Sequence, residues 1–507
     1  MLELQVKDRA EITAQHVLVV GVGKSGQATA RFLLEHAQLI GMTSLTLVDS
    51  AKSDALTAFA AQLKEQGNSC SQAEIKIAFG VEQVPDAHYD LCIITPGLAP
   101  HTALSKSAYA AADEVVSEIE LAYRLSPPGL TWIAITGTNG KTTTTELLRE
   151  VIKAGEGVQS TQVYSVGNIG TPALEALSLA RAGDYFVAEV SSFQAARLIN
   201  FKPQVAVLLN LSADHLDWHK DIKQYAADKC EIFARCGLGD LVLAPDESQL
   251  HEDARPVIAA ALDAARSRGA EVQIIQTKNA ALPFDADDMN MKGKHNISNA
   301  CFALAVARYF DLVNDKSIQA LKNFRPQPHR MQELGRYGNV LYVNDSKSTN
   351  ADASIQALTA YAGLELILLL GGQSKGADYH DLAKAALARA KTILLFGEAA
   401  PELRLSFDAL VSEQTKGQQV FSFDKMKDAV RFACENACPQ EVVLLSPANA
   451  SYDEFGNYKE RGEYFTALVK SISEDGSKPT TPSLVDMALL RSDFDPSSGK
   501  ESTSHDC

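Results

Sequence analysis

The stretch Trp132 to Leu148, WIAITGTNGKTTTTELL, constrains this chain more than any other. Ile133, Ala134 and Ile135 make an apolar, largely β-branched run that predicts a buried strand, and Thr136 to Gly140 supply small residues whose backbone N–H groups can converge on an anion. Lys141 adds a point charge and Thr142 a hydroxyl suited to Mg2+. Behind them Leu147, Leu148, Val151 and Ile152 recur at helical spacing, so a helix dipole faces the same anion. The result is a phosphate cradle of P-loop type with one departure: GxxxxGK[ST] would place a glycine at position 135, where Ile135 stands. A generic strand-to-helix turn would not require Gly-Lys-Thr at that junction.

With 507 residues, 46% of them hydrophobic and 22% charged, the chain has a globular balance, and at about 150 residues per domain it has room for roughly three domains. A net charge of −16 argues against a sequence-independent grip on nucleic acid or an anionic membrane, so anionic substrates must be drawn by local basic groups or Mg2+. The eight cysteines include no C-x-x-C pair and read as reduced thiols rather than a disulfide or zinc framework. The N-terminal MLELQVKDRAEI lacks an apolar signal region, and no run approaches the ~18 apolar residues of a membrane span. A cytoplasmic protein without a membrane span or nucleic-acid partner is expected, working as a monomer.

The expected fold class is α/β in three domains. Residues 1–126 open with HVLVVGVGKSG, a strand and a Gly21 to Gly26 loop, followed by SLTLVD ending at Asp49, about twenty residues on, where a nucleotide-binding βαβ unit places its ribose acid. YDLCIITPG leads to Thr95, Pro96 and Gly97. Residues 127–327, after Pro127-Pro128-Gly129, alternate strands (near 184–190, 204–210, 240–245 and 271–276) with helices and predict a doubly wound, P-loop ATPase-like sheet. Residues 328–473 repeat the Rossmann-like rhythm, with strands in VLYVND, LELILLLGG, KTILLFG, QVFSF and EVVLLSP, and hinges are expected near Pro127 and Pro328. Residues 474–507, rich in Ser, Thr, Pro and Asp, read as a disordered tail.

A phosphate loop needs metal ligands. Glu189 in FVAEVSSFQ is a carboxylate on a buried strand, costly there unless paired or bound to a cation. His215 in NLSADHLDWH and Asn168 in SVGNIG follow strands of the same domain. Singly, each reads equally well as a helix cap, a loop histidine and a turn amide; together, behind Gly-Lys-Thr, they point to Mg2+. Lys229 in QYAADKCEIF shares a helix face with Tyr225, and its residue type alone suggests only a solvated charge. In the third domain, strand-terminal loops carry Asn344 to Asn350, Gly371 to Lys375 and Ser446 to Ser451. Ordinary helix capping would account for their Ser, Thr and Asp, but two lysines among three such loops favour an anionic small substrate.

The motifs GTNGKT, GNIG, EVSSFQ, DHLDWH with YAADK, HNISNA, PHRM, NDSKSTN, GGQSKGADY and LLSPANASYDEFGNYKERGEYF occur in an order that resembles the Mur ligase family, over roughly residues 15 to 470. The resemblance implies an ATP-dependent amide ligase of peptidoglycan synthesis that adds D-glutamate to UDP-MurNAc-L-Ala through an acyl phosphate, with two Mg2+ ions. It implies that Gly137, Thr138, Asn139, Gly140, Lys141, Thr142 and Thr143 hold ATP phosphates, that Asn299 and Arg330 touch the nucleotide, and that Asp345 binds its ribose. It makes Thr142, Glu189 and His215 metal ligands, Lys229 a carbamylated lysine, and Asn168 a contact to substrate and phosphate. Lys24, Ser25, Gly26, Asp49, Thr95, Pro96 and Gly97 would bind the uridine diphosphate. Lys347, Thr349, Lys375, Ser451, Tyr452 and Tyr458 would bind glutamate. Ala51 stands where some members carry an arginine, leaving that diphosphate contact to Lys24 or Lys52, and Tyr458 stands where phenylalanine is frequent. The alternatives are a relative adding another amino acid or L-Glu, a folylpolyglutamate synthase-like ligase, a nicotinamide oxidoreductase built on Gly21 to Gly26, and a P-loop regulatory switch.

Overall fold

A computed structural model describes residues 13–70, 73–156, 161–216, 218–276, 282–291, 293–361, 363–374, 378–410 and 418–474. They fall into two compact units, divided between Pro326 and Gln327. Among the described residues, three sheets account for the strands: two in the first unit and one in the second. Of the tail expected from 474, only Glu474, which ends the last helix, lies within the described residues. Among the described residues, no helix is long and apolar enough to cross a membrane.

The first sheet comprises β1 (His16–Val20), β2 (Ser44–Asp49), β3 (Glu74–Phe79), β4 (Tyr89–Ile94) and β5 (Ala112–Val116), all parallel, in the order β3-β2-β1-β4-β5. The second comprises β6 (Thr131–Thr136), β7 (Val163–Gly167), β8 (Tyr185–Glu189), β9 (Val205–Leu208), β10 (Leu241–Pro245) and β11 (Glu271–Ile275), also parallel, in the order β11-β10-β9-β6-β8-β7. Central strands of such sheets are covered on both faces, which is why VLVV, WIAI and VAVL read as continuous apolar runs. In each sheet the strand order reverses beside a loop singled out from sequence: Gly21 after β1 and Thr95 after β4 in the first, Gly137 to Gly140 after β6 in the second. Ligands bind at these crevices in open α/β sheets.

These two sheets share one core. Tyr123, Trp132, Phe186 and Phe201 pack edge to face, with centroid separations of 4.9 to 5.9 Å. Trp132 also donates its indole N–H to Ser126 Oγ at 3.0 Å. The junction near Pro127 therefore lies within packed side chains. Just before it, the fully buried Glu120 accepts from the backbone N–H groups of Ile199, Asn200 and Phe201 at 2.7 to 3.0 Å and from Arg124 Nε at 2.6 Å. Glu118, 2% exposed, accepts from Leu174 N at 2.7 Å and so caps the helix Ala173–Leu177, which has no side-chain cap of its own. Among the described residues its other oxygen has no hydrogen-bond partner, and burial pushes its pKa up to about 7.

The second unit holds β12 (Gln332–Tyr337), β13 (Val340–Asn344), β14 (Leu366–Gly371), β15 (Thr392–Phe396), β16 (Gln419–Phe423) and β17 (Val442–Ala448), in the order β12-β13-β17-β14-β15-β16. Only β12 runs antiparallel, as a hairpin with β13, so this sheet is mixed. The loops after β13, β14 and β17 leave three adjacent strands, and a bridge between Gln373 and Ala450 joins two of them.

Candidate active site

β6 delivers the chain into the phosphate loop, and the helix Lys141–Glu156 leaves it, burying Leu147, Leu148, Val151 and Ile152 against the sheet. Gly140 is in the left-handed region at φ +81°, and a side chain there would meet Asn299 Oδ1 at 2.8 Å, so both the turn and the neighbour require glycine. Asn299, 5% exposed on the helix Lys294–Tyr309, thus lies directly against the loop. Asn139 N donates to Asn210 Oδ1 at 2.9 Å while Asn210 Nδ2 donates to Asn139 O at 3.0 Å, pinning the turn from the end of β9. Thr138 Oγ1 donates to Ser212 O and lies 3.2 Å from Tyr225 Oη.

Two lysines meet on one carbonyl. Lys141 Nζ donates to Gly137 O and Thr138 O, both at 2.8 Å, and Lys229 Nζ donates to the same Gly137 O at 2.9 Å. Lys229 is 1% exposed and lies 4.6 Å from the centroid of the Tyr225 ring. Burial first, and the Lys141 charge second, hold its amine well below the ordinary lysine pKa. Burial and the neighbouring charge thus favour the uncharged, nucleophilic form of this amine, unlike the solvated surface charge that its sequence context suggested.

The parallel register places Glu189 opposite Ile135 on β6 and Gly167 on β7, beside the loop that bears Asn168. Glu189 is 3% exposed; its Oε2 accepts from Thr142 Oγ1 at 2.8 Å and its Oε1 from Asn168 Nδ2 at 2.9 Å. The hydroxyl and the amide that it accepts from are both neutral. A buried carboxylate beside a threonine hydroxyl is the hard-oxygen donor set that suits Mg2+, so these residues fit the ion. His215 follows β9 with φ 55°, a strained value for a side-chain-bearing residue, held by Trp218 N and His219 N donating to its carbonyl at 3.1 and 3.0 Å. Its ring packs on Phe193 at 4.8 Å and is partly exposed.

At the first sheet's switch point, a side chain on Gly21 would strike Thr95 Oγ1, and one on Gly26 would strike Gly21 O, both at 2.0 Å. These two loops are therefore in close approach. Asp49 Oδ2 accepts from Val22 N at 2.6 Å and Oδ1 from Ala51 N at 2.8 Å, which orients the acid along the glycine loop. Lys24 Nζ donates to Gly170 O at 2.6 Å, tying this loop to the one carrying Asn168. Ser25 accepts from Thr29 through its carbonyl, and Gly97 has open space where a side chain would be, next to Pro96.

In the second unit, Asp345, immediately after β13, is 5% exposed and accepts from Ser446 Oγ at 2.9 Å, Ser348 Oγ at 2.5 Å and Met331 N at 3.1 Å. Burial raises its pKa to about 6 against the pull of those bonds and of the Arg330 charge. Lys347 Nζ sits 4.0 Å from the centroid of the Tyr458 ring, and Ser346 Oγ donates to Tyr458 O at 2.8 Å. Thr349 is half-buried in the same loop, Ser451 is buried after β17, and Tyr452 is 66% exposed. Lys375 lies outside the described residues. Sequence reasoning missed Asn210, whose signal was an amide ending an apolar strand, and the buried trio Ser192, His219 and Asp228, which no local spacing connects.

Residues 135–307 match the family described as Mur ligase middle domain, and residues 329–449 match Mur ligase, glutamate ligase domain. The chain is 34% identical over 480 residues to UDP-N-acetylmuramoylalanine–D-glutamate ligase of Koribacter versatilis, covering 92% of this chain and all of that one. It is 33% identical over 486 residues to the enzyme of the same name from Thermobifida fusca, covering 91% and 100%. In fold it is similar to MurF from Acinetobacter baumannii (TM-score 0.54, 18% identity, 85% of this chain and 90% of that one). A UDP-N-acetylmuramate–alanine ligase from Thermotoga maritima gives TM-score 0.52 at 16% identity over 90% and 99% of the two chains.

Proposed function

This chain belongs to the Mur ligase family, and we infer that it joins D-glutamate to UDP-N-acetylmuramoyl-L-alanine at the expense of ATP, in peptidoglycan synthesis. The observation that carries the chemistry is the cluster at the end of β6: two lysines on one loop carbonyl, beside a buried carboxylate bonded to Thr142 and Asn168.

The reaction brings two anions, the alanyl carboxylate and the γ-phosphate, to bonding distance. Lys141 and the backbone N–H groups of residues 137–143 hold the phosphates against the helix N-terminus. The carboxylate oxygen attacks the γ-phosphorus and ADP leaves; the amine of D-glutamate then attacks the acyl phosphate, loses a proton and expels inorganic phosphate. Thr142, Glu189 and His215 would hold Mg2+, as two ions, which when bound supplies positive charge between the reacting anions. Asn168 orients Glu189 and the substrate carboxyl. The neutral amine of Lys229 adds to CO2, forming an N–C bond and releasing a proton, so a buried lysine becomes a carbamate anion. Supporting this is its depressed pKa beside Lys141.

Asn299 and Arg330 contact the nucleotide, and Asp345 its ribose. Lys24, Ser25, Gly26, Asp49, Thr95, Pro96 and Gly97 take the uridine diphosphate; Lys347, Thr349, Lys375, Ser451, Tyr452 and Tyr458 take the carboxylates of glutamate. A nicotinamide oxidoreductase would leave the phosphate loop without a role, and a regulatory switch would leave the second unit's loops without one. The test is ATP-dependent phosphate release with UDP-MurNAc-L-Ala and a panel of amino acids. Turnover with D-glutamate is expected; turnover with L-glutamate or another amino acid alone assigns a different ligase, and no ATP turnover overturns the reading.

A further inference from the structure

Behind the cluster lies a buried polar chain that the chemistry above does not use. His219, Ser192 and Asp228 are 3%, 2% and 8% exposed. His219 Nδ1 lies 2.7 Å from Asp228 Oδ2 and Nε2 lies 2.9 Å from Ser192 Oγ, while Gln224 Nε2 donates to Asp228 Oδ1 at 2.8 Å. A carboxylate only accepts, so Nδ1 donates to Asp228, and Nε2 pairs with the Ser192 hydroxyl, which leaves both ring nitrogens with a partner. The ring is wedged between Phe193, stacked at 5.6 Å, and Tyr225 at 5.0 Å. The order resembles a nucleophile, base and acid, but the serine is buried and offers no reacting atom to substrate.

What distinguishes the chain is what its members adjoin. Ser192 lies three residues after Glu189, Asp228 immediately precedes Lys229, and His219 N holds the carbonyl of the strained His215 at 3.0 Å. One imidazole therefore links the three segments that carry the ligating and carbamylated residues, across 27 and 9 residues of sequence.

We propose that His219 is a positioning residue that fixes the spacing of Glu189, His215 and Lys229 through Ser192 and Asp228. This rests on the metal-site reading above. Groups that orient metal ligands cost about 10- to 100-fold in affinity or activity when removed. The test uses the full chain and Mn2+ as probe, titrated by electron paramagnetic resonance in the presence of ADP, alongside kcat and thermal midpoint. His219→Phe keeps the stacked ring but breaks both bonds; Ser192→Ala removes one hydroxyl and keeps the fold if His219→Phe does not. The expected result is roughly tenfold or more weaker Mn2+ binding and a fall in kcat, with KM for the nucleotide little changed and partial recovery in His219→Asn, which restores the bond to Asp228. Variants that melt earlier but bind Mn2+ and turn over within about twofold of the parent would make the chain merely structural and overturn the proposal. If the parent itself binds no Mn2+ with ADP, the metal-site reading fails instead.

Discussion

Replacing Glu118 by glutamine should change how stability depends on pH. The sign follows from the raised pKa: folding favours the protonated carboxyl, so the benefit is present below the unfolded value of 4.5 and is lost as pH rises through about 7. With both states ionised, a shift of that size corresponds to about 3 kcal/mol against the fold. Between about pH 5 and about pH 8, roughly 2.5 kcal/mol of that loss accrues. Glutamine retains an oxygen for Leu174 N but cannot ionise, so Glu118→Gln should gain that amount relative to the parent over the interval. Its amide N–H2 at the unpartnered position adds an offset of about 1 kcal/mol that does not vary with pH. Both tryptophans, Trp132 and Trp218, lie in the first unit, so their emission in urea reports the unfolding of that unit. Infrared difference spectra should also show a protonated carboxyl band titrating near 7 in the parent and absent from the variant. Parallel stability profiles, with no such band, would refute the assignment of a buried, neutral Glu118.

Lys141→Ala should lower phosphate release by two or three orders of magnitude, since it removes charge from the transferring phosphoryl group; activity within about tenfold of the parent would place the phosphates elsewhere. Lys229→Ala should be comparably impaired but partly rescued by added formate or acetate, and the parent should lose activity when CO2 is rigorously removed. Absence of both effects would count against the carbamate.

The strands missing from the sequence reading, β3, β5, β7 and β12, are all edge strands. EIKIAF and QELGRY have no buried position, and ADEVV and VYSVG have one each, so none shows the continuous apolar run by which the central strands were legible. The phosphate loop and Glu189 were legible for the opposite reason: polar residues interrupt apolar strands where burial would otherwise penalise them. Lys229 could not be chosen from its helix, because its burial is imposed by Thr136, Gly137 and Tyr225, and only the family resemblance marked it. His219 carried no signal of its own in the sequence, since its partners Ser192 and Asp228 are brought to it only by tertiary contacts.

Glu120 and the aromatic cluster around Trp132 bear on modularity. A break after Ser126 would strip three backbone donors from one fully buried carboxylate and open the faces of Tyr123 and Phe201 to water. The first two sheets should therefore melt in a single transition, and a fragment of residues 1–126 should not refold alone. Gene fusions, circular permutations or recombination between relatives would have to respect a cooperative block of two Rossmann-like layers, with the permissive crossover near Pro326 rather than at the Pro-Pro-Gly that punctuates the sequence.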